Sequence, residues 1–87
     1  MNEMTKQAYE IATKLNSMLH QKRFDEVDGL LRGLDIEKLT TTQLVSYLAS
    51  SRLAKDKLPY RQQFYKKVEQ TLRNQGRLEK GLLDNLE

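Results

Sequence analysis

The 87 residues contain no cysteine, no tryptophan, one histidine and one proline. Without cysteine, the chain has no disulfide framework, Cys-bearing zinc site, iron–sulfur cluster or thiol nucleophile. His20 alone excludes a multi-histidine metal site. It stands near the end of the first apolar stripe, where a protonated imidazole suits a helix C-terminus better than it serves catalysis. The four glycines are scattered and form no phosphate-cradling loop. No apolar run approaches the roughly 20 residues that cross a bilayer, and Met1-Asn2-Glu3-Met4-Thr5-Lys6 carries charge where a signal peptide would carry its apolar run. A pair of carboxylates working as acid and base needs a cleft, which a core of this size rarely builds. The expectation is a soluble, cytoplasmic protein that is not an enzyme and holds no metal and no cofactor.

What is present is leucine and charge. Hydrophobic residues make up 38% of the chain, enough for one core and one domain spanning 1–87. Leucine supplies 15 of them, against seven for valine, isoleucine and phenylalanine together. That bias favours helix over strand, so the fold class is all-α.

Spacing predicts four helices and a short fifth. Met4, Ala8, Ile11, Leu15 and Met18 form one stripe of a first helix from about Glu3 to Gln21, with Asn2 as its N-cap. The stripe restarts after Lys22-Arg23 as Phe24, Val27, Leu30, Leu31 and Leu34. Asp25, Glu26 and Asp28 sit in its first turn, where the helix dipole favours negative charge, and Gly33 stands where a C-terminal cap is expected. Thr40 and Gln43 read as a capping box opening a third helix that ends near Lys55, with Leu44, Val45, Leu48 and Leu53 inward. Pro59 fits the first turn of a fourth helix, leaving Leu58 outside, and Phe64, Tyr65, Val68 and Leu72 form its stripe. Gly76 stops it. Leu78, Leu82, Leu83 and Leu86 outline the short C-terminal helix, weakened by Gly81. Short links predict two antiparallel helical hairpins.

Two patterns invite a further reading. Val27-Asp28-x-x-Leu31-Arg32 is echoed by Val68-Glu69-x-x-Leu72-Arg73, although any two amphipathic helices share such a pattern more readily than duplication produces it. From Phe24, Asp28, Gly29 and Asp35 fall at the fifth, sixth and twelfth positions of a calcium loop. Phenylalanine occupies the first position, where a carboxylate must bind the ion.

Charge is segregated. Residues 1–51 balance at −1, residues 52–80 hold nine Lys/Arg against three acids for +6, and residues 81–87 carry −2. The fourth helix concentrates this excess. Opposite its stripe stand Gln62, Gln63, Lys66, Lys67, Gln70, Arg73 and Asn74. The expected contact surface is a basic patch of Arg61, Lys66, Lys67, Arg73 and Arg77 meeting an acidic patch on a protein partner. The alternative is a nucleic-acid-binding protein that is helix-turn-helix-like, using the same residues on phosphates with Tyr60, Arg61, Gln62 and Gln63 at the groove-facing start. Membrane attachment is not expected, because the core needs Phe64 and Leu72. The near-heptad spacing of the first helix also allows a homodimer through that helix.

The stretch Leu44-Val45-Ser46-Tyr47-Leu48, Ala54-Lys55, Lys57-Leu58-Pro59, Arg61, Phe64, Val68-Glu69, Leu72, Gly76 and Gly81-Leu82-Leu83, with the preceding Phe24 to Leu34 helix, resembles small uncharacterised helical proteins carried by phages and prophages. The resemblance spans roughly the C-terminal half. It implies a mobile-element accessory or regulatory protein that binds a host or viral macromolecule in a bacterial cytoplasm, and assigns no role to any single residue.

Overall fold

A computed structural model describes residues 2–87. Four α-helices follow in order: α1 (Glu3–His20), α2 (Phe24–Gly33), α3 (Thr41–Ser51) and α4 (Arg61–Asn74). Single 3-10 helices at Ile36–Lys38 and Arg52–Lys57 fill the links before α3 and α4. Among the described residues there is no strand.

The caps explain where the helices begin. Asn2 Oδ1 accepts from the Thr5 amide at 2.7 Å, satisfying one of the orphan donors of α1. At α3 the box closes both ways: the Gln43 amide donates to Thr40 Oγ1 at 3.1 Å and the Thr40 amide to Gln43 Oε1 at 2.9 Å.

Two helices stop by the same device. Beyond α4, Gly76 takes a left-handed φ of +68°, while the Gly76 and Arg77 amides donate back to the Arg73 and Leu72 carbonyls. Beyond α1, Lys22 takes φ +59°, with the Lys22 and Arg23 amides donating to the Leu19 and Met18 carbonyls. The helix α2 is different. Gly33 is its last helical residue and not a left-handed cap; the chain leaves through Leu34 in extended conformation.

The core is assembled from the predicted stripes. Leu15, Val27, Leu31, Leu44, Leu48, Leu58, Phe64, Val68 and Leu72 are fully or almost fully buried. Each aliphatic side chain withdrawn in this way contributes about 1.5–3 kcal/mol against exposure. The pairing of helices departs from two sequential hairpins. α1 makes its most extensive contact with α3, not with α2, and α4 touches α2, α3 and the 3-10 helix at Ile36–Lys38. Ser46 Oγ ties α3 to α1 by donating to the Ala8 carbonyl at 2.8 Å. The α1 stripe sinks inward along its length: Met4 is 53% exposed, whereas Leu15 and Met18 are buried.

Two further expectations are corrected. Leu53 is not on the inner face of α3; it is 91% exposed. α3 ends at Ser51, and the chain tightens into a 3-10 helix kinked at Ala54 (φ −102°, ψ 15°), which takes Leu53 off the α-helical stripe. The fifth helix is absent: residues 80–85 run as turns between irregular stretches at 77–79 and 86–87. Gly81 (φ +82°) and Asn85 (φ +65°) hold left-handed conformations that no right-handed helix contains. The leucines of this segment pack nonetheless, with Leu83 buried and Leu78, Leu82 and Leu86 against the core. The radius of gyration of 12.4 Å, near the roughly 12 Å of a compact chain of this length, fits a docked C-terminal segment.

Candidate interaction surface

The five cations expected to form one basic surface separate into two groups. Lys66, Lys67 and Arg73 are exposed on α4, together with Gln62, Gln63, Gln70 and Asn74. Among the described residues the ion pairs are Arg23–Glu26, Arg32–Asp28 and Lys38–Asp35, so no carboxylate lies within pairing distance of these three cations. Lys67 Nζ lies 5.5 Å from the centre of the Tyr60 ring, and the Arg32 guanidinium lies 4.7 Å from the same centre. These are cation–π distances.

Arg61 is not part of that surface. It is 2% exposed, and its guanidinium is tied down on two sides. Nε donates to Ser51 Oγ at 2.8 Å and Nη2 to the Leu48 carbonyl at 2.7 Å, which satisfies groups at the end of α3. From the other side Nη2 donates to the Leu86 carbonyl at 2.6 Å and Nη1 to the Glu87 main-chain oxygen at 3.0 Å. Burial, then the charge of Arg52, pulls the Arg61 pKa down, and Tyr65 partly opposes this. Arg77 is half-buried and equally occupied: its guanidinium donates to the Leu39 carbonyl at 3.0 Å, to Thr41 Oγ1 at 3.0 and 3.2 Å, and to Gln75 Oε1. It fastens the C-terminal segment to the start of α3.

Asp28, which the calcium pattern singled out, serves the fold. It is 8% exposed. Oδ1 accepts from the Tyr60 amide at 2.8 Å and Oδ2 from Arg32 Nε at 2.9 Å, so one carboxylate fixes α2 to the approach to α4. The sequence reading missed this inner polar set of Asp28, Ser51 and Arg61. The signal was present in the spacing. Arg61 stands three residues before Phe64, Asp28 three before Leu31 and Ser51 three after Leu48, each on a buried stripe.

The approach to α4 also departs from a helix-turn-helix. Residues 52–60 separate α3 from α4, six of them in the 3-10 helix, where that motif uses a turn of about 3–4 residues. Of the four expected groove-facing residues, Tyr60 and Arg61 are buried and only Gln62 and Gln63 are exposed. Among the described residues no helix is long and apolar enough to cross a membrane. Comparison with known protein families, with curated proteins and with solved structures gave no match.

Proposed function

We propose that this chain is a non-enzymatic, cytoplasmic interaction module that binds an acidic patch of a protein partner through the outward face of α4. The observation that carries the reading is the set of three exposed cations, Lys66, Lys67 and Arg73, none of them ion-paired among the described residues, on a helix whose opposite side is buried in the core. Cations left unpaired within the chain are free to meet opposite charge on another, and the amides of Gln62, Gln63, Gln70 and Asn74 supply hydrogen bonds around them.

Protein is favoured over nucleic acid by the same geometry. Three cations make a small phosphate footprint, Tyr60 is withdrawn from stacking, and the link before α4 is not that of a helix-turn-helix. A homodimer through α1 has less to offer, because Leu15 and Met18 already lie in the core and Met4 and Tyr9 are the large apolar side chains α1 leaves exposed. The resemblance to phage and prophage proteins fits an accessory protein with a host or viral partner, and is part of the proposal.

The test is a tagged pull-down from bacterial lysate, with and without nuclease, for the wild type and for Lys66→Glu with Lys67→Glu. A discrete protein partner that survives nuclease and is reduced at least tenfold by the double charge reversal supports the reading. The stability of the variant should fall by no more than about 1 kcal/mol, the worth of the exposed Lys67 contact with the Tyr60 ring. Partner retention unaffected by the reversal refutes it, and protein capture that vanishes with nuclease transfers the surface to phosphates.

A further inference from the structure

We infer that the partner docks in the groove between α4 and the chain that follows α2, and that the groove takes a short extended segment bearing an acidic residue, an aliphatic one and then a basic one; this rests on the α4 reading above and names the chemistry of the partner.

Two cations from different helices meet at one ring. The Arg32 guanidinium and Lys67 Nζ lie 4.7 and 5.5 Å from the centre of Tyr60, so they are no more than about 10 Å apart, one screening length at roughly 0.1 M salt. Like charges this close repel, and a carboxylate brought between them relieves the repulsion. Arg32 is also held in one pose with donors to spare. Its Nε donates to Asp28 Oδ2 at 2.9 Å, while among the described residues nothing accepts from Nη1, Nη2 or Lys67 Nζ. The ion pair offsets part of the Arg32 charge and leaves open the end of the fork, which fits a carboxylate with two parallel bonds.

Beside the ring opens a cavity of about 330 Å³. Half-buried Leu34 and Ile36 line it and offer apolar surface to an aliphatic side chain. Asp35 and Glu37 line it as well, and they give it polarity. The Glu37 carbonyl accepts from Gln75 Nε2 at 3.5 Å, beyond the end of α4, whereas Arg32 meets Tyr60 just before the start of α4. The groove thus runs along α4 from a cationic end to an acidic one. Asp35 is paired with Lys38 at 3.7 Å, and Glu37 makes no ion pair among the described residues, so Glu37 is the acid left for a partner. Such a groove selects as well as attracts. A uniformly acidic chain, a phosphate backbone included, is repelled at Glu37, while a segment that sets a base there satisfies both ends.

The experiment is a titration of the whole protein with two synthetic peptides, Gly-Glu-Leu-Leu-Lys-Gly and Gly-Glu-Leu-Leu-Glu-Gly, read by nitrogen-15 NMR. The mixed-charge peptide should shift the Arg32 Nε–H signal and the Leu34 and Ile36 amides. It should bind about tenfold tighter than the all-acidic one, the worth of one surface attraction gained and one repulsion avoided. Glu37→Lys should reverse that preference, and Lys67→Glu should weaken the mixed-charge peptide about tenfold. Both positions are exposed, and Glu37 lies off α4, so its effect separates the groove from the helix face. A preference unchanged in Glu37→Lys refutes the polarity of the groove. If the peptides move Gln63, Lys66 and Arg73 while Arg32, Leu34 and Ile36 stay still, the groove is refuted and the α4 face stands. If no signal moves at millimolar peptide, the groove is refuted and the pull-down judges the α4 face by itself. A single-stranded oligonucleotide that shifts the groove signals where neither peptide does would overturn the partner chemistry.

Discussion

The start of α4 and its outer face carry cations under opposite physical rules. Arg61 lies in the interior, and each of its three nitrogens donates to the end of α3 or to residues 86–87. Lys66 and Lys67, one turn and a half further on, face water and make no ion pair among the described residues. The difference teaches that the count of charge in a segment says little about the charge available at the surface. A buried charge is held only where matched partners surround it, whereas an exposed one needs none. Arg61 therefore serves cohesion and Lys66 and Lys67 stay at the surface, although the sequence presents all three as one basic run.

The sharpest way to break this contrast is to neutralise the inner cation. Arg61→Met keeps much of the volume but leaves the Leu48 carbonyl and the Ser51 hydroxyl with a lost donor in the interior, and frees residues 86–87. The expected loss is about 3 kcal/mol, from unsatisfied buried groups at about 1–3 kcal/mol each. Urea unfolding checks it. An unchanged midpoint would mean that Arg61 is as dispensable as the surface lysines.

A smaller effect is expected at Asp28, the anionic counterpart of Arg61 in the same inner set. Asp28→Ala deprives the buried Tyr60 amide and the Arg32 guanidinium of their acceptor and should cost about 2 kcal/mol. Asp28→Asn retains an oxygen for the Tyr60 amide and should recover most of that loss in the same urea titration. Equal losses in the two variants would shift the weight to the Arg32 ion pair, a contact at the surface.

The smallest effect is in pH. Tyr65, next to Arg61, has its phenol pushed above the ordinary 10.0 by burial first, then by Glu69, Glu87 and Asp84, with Arg61 opposing; burial raises Tyr47 as well. A folded-state pKa above the unfolded one means that the proton is held more tightly in the fold. The associated stability is whole below pH 10 and is lost as pH rises past 10 through the raised values. Unfolding midpoints measured on either side of pH 10 should fall on the alkaline side, and fall less in Tyr47→Phe. Detaching residues 84–87 should lower the Tyr65 pKa, because two of the acids that raise it lie in that segment.

The helical architecture was legible because helices announce themselves locally. The stripes of Leu15, Val27, Leu44 and Phe64, the Asn2 cap, the Thr40–Gln43 box and the stop at Gly76 all depend on residues within a few positions of one another. What escaped depends on tertiary context. Leu53 kept its place in a helical spacing, but the backbone changed pitch beneath it. Leu78 to Leu86 have the composition of a helix, but Gly81 and Asn85 adopt left-handed conformations and the leucines pack from turns. The exposure of Lys66, Lys67 and Arg73 was legible in the spacing of α4. Arg61 and Arg77 were misplaced because polarity was allowed to outweigh their positions, and the carbonyls that hold them come from residues 13 to 38 positions away.

The union of α1 with α3 bears on how the chain acquires its structure as it is made. The bond from Ser46 to Ala8 spans 38 residues, and α1 has its main partner only after α2 and the following link have been synthesised. Contacts of that separation form after the loop between them has closed, which slows folding relative to neighbouring helix pairs. During synthesis from the N-terminus, the Ile11, Leu15 and Met18 side of α1 waits for residues 41–51. Arg61 waits longer still, since two of its acceptors belong to residues 86 and 87. Leu86 thus accepts from a cation laid down 25 residues earlier.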